Sequence, residues 1–325
     1  MSVLAGRSVL VTGGSGSFGH AFVKYALAHG ASRVAVYSRD ELKQSVMRRA
    51  IPDERLRLFV GDIRDRDRLG LAMRGVHDVV HAGAMKRIEV CEQEPWEAVA
   101  TNIIGTENVA RACMGTGVER AIFLSSDKAA EPSSLYGLTK GTGERLWCQA
   151  NAYSAGTVTR FTATRYGNVV GSRGSVLELW RRQKAAGEPL TVTHEFASRF
   201  WMPMSVAVEL VVTALREMRS GEIFVPRIGS ASVLDLARAV AEPPMYLPGH
   251  RLTGLLPAEK LHEVLVTADE ARHTYDAGTH YIIEPESRTW GDVEPRALPK
   301  VPEGFEYRSD LNEQQLTIDQ LREMI

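Results

Sequence analysis

The string Thr12-Gly13-Gly14-Ser15-Gly16-Ser17-Phe18-Gly19 directly follows an apolar β-branched run over 8–11 and opens a helical pattern over 18–29. A loop of small residues in that position belongs to the first turn of a βαβ unit. There the backbone can approach a pyrophosphate, and the helix N-terminus offers free N–H groups and a partial positive charge. The residues that follow repeat the alternation. The runs 33–37, 57–60, 78–81 and 120–124 read as buried strands, and 95–113 and 136–150 carry apolar residues at helical spacing. Alternation of this kind predicts right-handed βαβ units and a parallel sheet covered on both faces. The fold class is therefore α/β: a Rossmann-type doubly wound parallel sheet with a smaller, interleaved α/β substrate domain. The expected bounds are 1–165 for the dinucleotide-binding domain, with later segments returning to it, and 166–325 for the substrate domain, where Gly and Pro rise. The stretch 284–325 reads as packing on the surface.

Composition removes other classes of partner. With 39 basic and 40 acidic side chains the formal charge is -1, which speaks against nucleic acid or an anionic membrane as a ligand. Cys91, Cys113 and Cys148 have no ligand or disulfide spacing and read as buried packing residues in a reducing compartment. The first residues have neither the length of a spanning helix nor the layout of a signal peptide, so a cytoplasmic location is expected. The nine histidines form no metal set, no metal is expected, and His262 reads as a helix-packing residue.

The end of the second strand, Tyr37-Ser38-Arg39-Asp40, places a hydroxyl and a guanidinium where a ribose 2′-phosphate would lie. That favours NADP; the other reading leaves Arg39 in solvent and sends Asp40 to the ribose. Asp62 and Ile63 end the third strand, and Ala82, Gly83 and Ala84 end the fourth with small residues against which a cofactor can lie flat.

Tyr136 and Lys140 are one turn apart on one helical face, the spacing of a phenol whose ionisation a nearby ammonium favours. Ser125-Ser126-Asp127-Lys128, at the end of the fifth strand, brings a second acid/base pair to the same cleft.

With these motifs the chain resembles the extended short-chain dehydrogenase/reductases, and within them the inverting UDP-N-acetylglucosamine 4,6-dehydratases of pseudaminic acid biosynthesis. The strings that carry the likeness include TGGSGSFG, YSRDELKQS, TNIIGTENV, SSDKAAEPSSLYGLTK, RYGNVVGSRGSV, SRFW and EKLHEV. The resemblance implies a tightly held, recycled NADP on Gly13, Ser15, Gly16, Ser17, Phe18, Gly19, Ser38, Arg39, Asp40, Lys43, Asp62, Ile63, Ala82, Gly83, Ala84, Tyr136 and Lys140. It implies that Tyr136, aided by Lys140 and Ser126, takes the 4-hydroxyl proton as hydride leaves C4. Lys128 then acts as base at C5, and Asp127 protonates the departing 6-hydroxyl. Lys86, Asn168, Arg173, Arg199 and Glu259 are implied to face a nucleotide sugar, although each arginine alone would also suit a surface ion pair. The chain departs from the family pattern at Leu256 and Ala258, at Arg87 and Glu89, at His194 and at 202–205, all on the substrate side. An altered nucleotide or sugar is the expectation from these departures. Two other readings keep the fold: a nucleotide-sugar epimerase, and a sensor that binds NADP without turnover. Family members associate through two long helices, so a homo-oligomer, dimer or larger ring, is implied.

Overall fold

The computed structural model describes residues 2–241, 250–291 and 293–325. The first half supplies β1 (Ser8–Thr12), α1 (Ser17–Ala28), β2 (Arg33–Ser38), α2 (Glu41–Ala50), β3 (Leu56–Val60), α3 (Arg66–Ala72) and β4 (Asp78–His81). It continues with α4 (Ile88–Gln93), α5 (Pro95–Val99), α6 (Gly105–Thr116), β5 (Arg120–Leu124), α7 (Leu135–Gln149) and β6 (Arg160–Thr164). The second half is finer-grained: β7 (Asn168–Val169), α8 (Val176–Ala185), β8 (Thr191–Val192), β9 (Ser198–Met202), α9 (Met204–Glu217), β10 (Ile223–Pro226) and β11 (Ser230–Ser232). After α10 (Val233–Ala241) come β12 (Arg251–Leu252), β13 (Val264–Val266), β14 (Thr274–Asp276), β15 (His280–Ile283), β16 (Tyr307–Arg308) and α11 (Ile318–Met324).

One nine-stranded sheet orders β14-β15-β10-β6-β5-β4-β1-β2-β3. It is parallel from β3 to β10, with β15 and β14 added antiparallel at one edge. The order reverses between β1 and β4, which opens a crevice at the carboxyl ends of the strands. Side chains alternate between the two faces. Val9 and Val11 join Phe22 and Val23 of α1, Met47 of α2 and Val211 of α9, whereas Leu10 joins Leu69 of α3, Val109 of α6 and Trp147 of α7. Residues beyond 165 thus complete the sheet through β10, β14 and β15. A separate small core around Trp180, Leu236 and Leu321 joins α8, α10 and α11. The chain end accordingly does more than lie on the surface: Leu321 is fully buried.

The helix expected over 95–113 is interrupted by a π-helical turn, Ala100–Ile104. Asn102, buried in that turn, accepts from the Met85 N–H at 2.8 Å and donates to the Met85 carbonyl at 3.0 Å and to Thr139 Oγ1 at 3.0 Å. One side chain so ties the strand exit at 82–86 to α7. Turns of this type cluster at functional sites.

Candidate active site

A cleft of about 1960 Å³ runs along the carboxyl ends of the strands, and every residue expected at the site lines it. Its first end is the glycine loop. Gly13 has φ +64°, and a Cβ built there would lie 2.8 Å from the Ala82 backbone; one on Gly19 would lie 2.3 Å from Gly14 Cα. Side chains at these positions would push the loop and α1 off the sheet. Gly16 caps α1 without a side-chain bond, so the first N–H groups of the helix face the cleft uncapped by any side chain. That is an anion cradle, and it fits a dinucleotide pyrophosphate.

At the end of β2, Asp40 caps α2 by accepting from Lys43 N at 2.8 Å and pairs with the Lys43 ammonium at 2.6 Å. Those Lys43 bonds hold its carboxyl below the usual range. Ser38 Oγ accepts from Gln44 at 2.9 Å. Arg39 is exposed, with its nearest carboxylate, Asp62, 3.8 Å away, while Asp62 is engaged by Arg64 at 2.7 Å.

The catalytic candidates converge on the turn after β5. Ser126 donates to Asp127 Oδ1 at 2.8 Å, and Lys128 Nζ lies 3.1 Å from the same oxygen. Asp127 Oδ2 is buried without a partner among the described residues. An orphaned carboxylate oxygen in a sugar-sized cleft is a place for a substrate hydroxyl. Lys128 has a second carboxylate that the sequence reading did not select, Glu263 Oε1, at 3.1 Å. Burial pulls the Lys128 ammonium down, yet Asp127 and Glu263 outweigh it and hold its pKa above the ordinary value.

Tyr136 and Lys140 occupy one face of α7, whose first turn is capped by Ser134 Oγ accepting from Gly137 N at 3.1 Å. Lys140 is placed beside β5 by contacts of its own. Its ammonium donates to the Leu124 carbonyl at 2.6 Å and sits 3.9 Å from the centre of the Phe123 ring. Burial drops its pKa to about 7, with Glu144 opposing. Burial pushes Tyr136 up to about 12, against the Lys128 charge and a Ser126 hydrogen bond, while Asp127 adds to the rise. The groups that favour the ionised phenol, Lys128 and Ser126, both sit on the β5 turn.

On the substrate side, Lys86 donates to the Arg173 carbonyl at 2.7 Å, and the Arg173 N–H donates to Ser17 Oγ at 3.1 Å. These bonds close the 171–175 loop over the glycine loop, with Asn168 at its base in β7. The Arg199 guanidinium is only 7% exposed and pairs with Glu259 at 2.7 Å while donating to the Ser198 carbonyl at 2.7 Å. The two residues expected to address substrate thus satisfy each other. His262 is in a loop, not on a helix, and its Nδ1 is 2.8 Å from Ser198 Oγ. Ala258 adopts φ +61° and its carbonyl accepts from Ser133 at 2.9 Å. Leu256 is exposed on the cleft wall. Trp201 Nε1, on the same wall, is buried without an acceptor among the described residues. No described group of His, Cys, Asp or Glu could hold a metal ion, and no described helix is long and apolar enough to cross a membrane.

A doubly wound sheet with a glycine cradle at its switch point, and a Tyr/Lys pair on the helix after β5, define an extended short-chain dehydrogenase/reductase. The chain belongs to the family described as polysaccharide biosynthesis protein, whose model matches residues 9–285. Within it, the chain is 40% identical to a UDP-N-acetylglucosamine 4,6-dehydratase (inverting) of Campylobacter jejuni subsp. jejuni serotype O:23/36 (strain 81-176), covering 98% of this chain and 97% of that one. It is 36% identical to a UDP-glucose 4-epimerase of Rickettsia akari, covering 87% of this chain and 84% of the relative. Among solved structures it superposes on Pen from Bacillus thuringiensis with a TM-score of 0.89 at 34% identity, covering 99% of this chain and 98% of that one. It shares the fold of DesIV, a dTDP-glucose 4,6-dehydratase from Streptomyces venezuelae solved with NAD and TYD bound, with a TM-score of 0.70 at 22% identity over 78% of this chain and 86% of that one.

Proposed function

We propose that the protein is a C5-inverting nucleotide-sugar 4,6-dehydratase acting on a UDP-N-acetylglucosamine-like substrate. The observation that carries this reading is the Asp127–Lys128 pair at hydrogen-bond distance beside Tyr136, with Asp127 Oδ2 left open. An epimerase needs a hydride acceptor and a phenol but no acid for a leaving hydroxyl.

A nicotinamide dinucleotide held by the glycine cradle of Gly13, Gly16 and Gly19 would supply the hydride acceptor and donor that the C4 and C6 chemistry needs. Tyr136 takes the 4-hydroxyl proton, with Ser126 bonded to both the phenol and Asp127. The resulting 4-ketone acidifies C5–H, so a neutral Lys128 removes that proton while a protonated Asp127 gives its own to the 6-hydroxyl, which leaves as water. A proton then returns to C5 on the opposite face. The exposed Arg39 beside Ser38 supports NADP over NAD, because its guanidinium would meet a ribose 2′-phosphate there. The exposed Trp96 on α5 and Leu138 and Leu146 on α7 support pairing of two copies through these helices.

Replacing Lys128 by Ala separates the readings. A dehydratase then still oxidises C4, so reduced-cofactor absorbance builds on adding UDP-N-acetylglucosamine while no water is lost. A non-catalytic sensor shows no absorbance change in either protein, and an epimerase keeps its turnover.

A further inference from the structure

Glu263 belongs to the loop that crosses the cleft from the second half of the chain, and it is almost wholly buried. Three cations meet its carboxylate: Lys128 Nζ at 3.1 Å and Arg199 Nε at 3.9 Å on Oε1, and Lys260 Nζ at 3.2 Å on Oε2. Lys260 is itself tied to the β5 turn, donating to the Ala130 carbonyl at 2.9 Å and the Asp127 carbonyl at 3.5 Å. Arg199 is fixed by Glu259 at 2.7 Å. Glu263 is therefore anchored from two sides, and of its three partners Lys128 is the one that the dehydratase reading requires to change protonation.

The dehydratase reading needs one exchangeable proton to pass between Asp127 and Lys128, whose Oδ1 and Nζ are 3.1 Å apart. With that proton on nitrogen the pair is a carboxylate and an ammonium, and neither can do its part. With the proton on Asp127 the pair is a carboxylic acid and an amine, the form that elimination needs. In that form the amine takes the C5 proton as the C5–C6 double bond forms and the C6–O bond breaks. The Asp127 proton leaves with the hydroxyl as water, and the pair is back at carboxylate and ammonium. We propose, resting on the dehydratase reading, that Glu263 is a positioning residue that holds the shared proton on Lys128 in the free enzyme. It thereby keeps the amine from acting as a base before a sugar hydroxyl reaches Asp127.

The charged and titratable groups around Lys128 are Asp127 on its own turn, Tyr136 on α7, and Arg199, Lys260 and Glu263 on the elements packed against it. Glu263→Gln removes one negative charge from this set, so the pH at which Lys128 becomes a base falls. Lys260→Met removes a positive charge, so that pH rises. The test is the rate of water loss from UDP-N-acetylglucosamine against pH for the cofactor-loaded wild type and both variants. The base limb should move down by about one unit in Glu263→Gln and up in Lys260→Met. Should Glu263→Gln not fold, the upward shift in Lys260→Met decides. A limb that stays in place in every folded variant, even with a lower rate at all pH values, overturns the role of Glu263 and makes it merely structural. A wild type that releases no water from any nucleotide sugar overturns instead the dehydratase reading beneath it.

Discussion

Lys128 on the turn after β5 and Lys140 on α7 line one cleft and are both largely withdrawn from water, yet their proton affinities move in opposite directions. Lys140 has a carbonyl and an aromatic ring for company, and burial takes its pKa to about 7. Lys128 has two carboxylates at 3.1 Å, and these hold its proton more firmly than in water. Burial alone disfavours a charge; burial against an opposite charge retains it. The α7 side of the cleft is thus prepared for proton exchange near neutrality, and the β5 side is a stored ion pair.

The comparison would break first in kinetics. Lys128→Ala should slow elimination by about 10²–10⁴-fold while reduced cofactor still accumulates, whereas Tyr136→Phe should slow the earlier step by a similar factor so that none accumulates. Stopped-flow absorbance on adding substrate separates the two. Accumulation in both variants would remove Tyr136 from the first step.

Stability should separate the two lysines as well. The folded pKa of Lys140 is lowered from 10.5 to about 7, so the folded chain resists its protonation, and the resulting cost is complete below pH 7 and gone above about 10.5. Lys140→Met should therefore stabilise the fold by about 1–3 kcal/mol at pH 6, with the gain vanishing at alkaline pH. Lys128 is raised, so its contribution is present at all pH values below its ordinary value. Lys128→Met should destabilise by about 1–3 kcal/mol at neutral pH, because Asp127 and Glu263 lose a shared partner. Urea melts at pH 6 and at alkaline pH read both signs, and a Lys140→Met that is less stable at pH 6 would show that its bonds outweigh its desolvation.

A smaller effect concerns the other end of the cleft. Arg39→Ser should lower the preference for NADP over NAD by about 10-fold, the value of one exposed charge-assisted contact. Calorimetric titration with the two dinucleotides checks it. The smallest is Ala258→Gly, which should stabilise by up to about 1 kcal/mol, since φ +61° suits glycine.

What could be read from the chain beforehand follows the range of the interactions. The glycine loop, the first five strands and the Tyr136/Lys140 face depend on neighbours in sequence, and their positions are legible to within a residue or so. The π turn at Ala100–Ile104 was not, because it accommodates Asn102, whose partners Met85 and Thr139 are distant in the chain. Glu263 escaped for the same reason: only the fold brings it 3.1 Å from Lys128. Arg199 and Glu259 carried a family likeness that said they belong to the cleft but not that they bind each other. The departure at Ala258 was visible, and the strained φ gives it a physical cost that no string could show.

The most direct test of the central claim is to turn over UDP-N-acetylglucosamine in D₂O with the cofactor-loaded enzyme and weigh the product. A dehydratase built as described yields a sugar nucleotide that has lost one water and gained one deuterium at C5. A product of unchanged composition, epimerised and without solvent deuterium, would contradict the account and make the Asp127–Lys128 pair a structural ion pair.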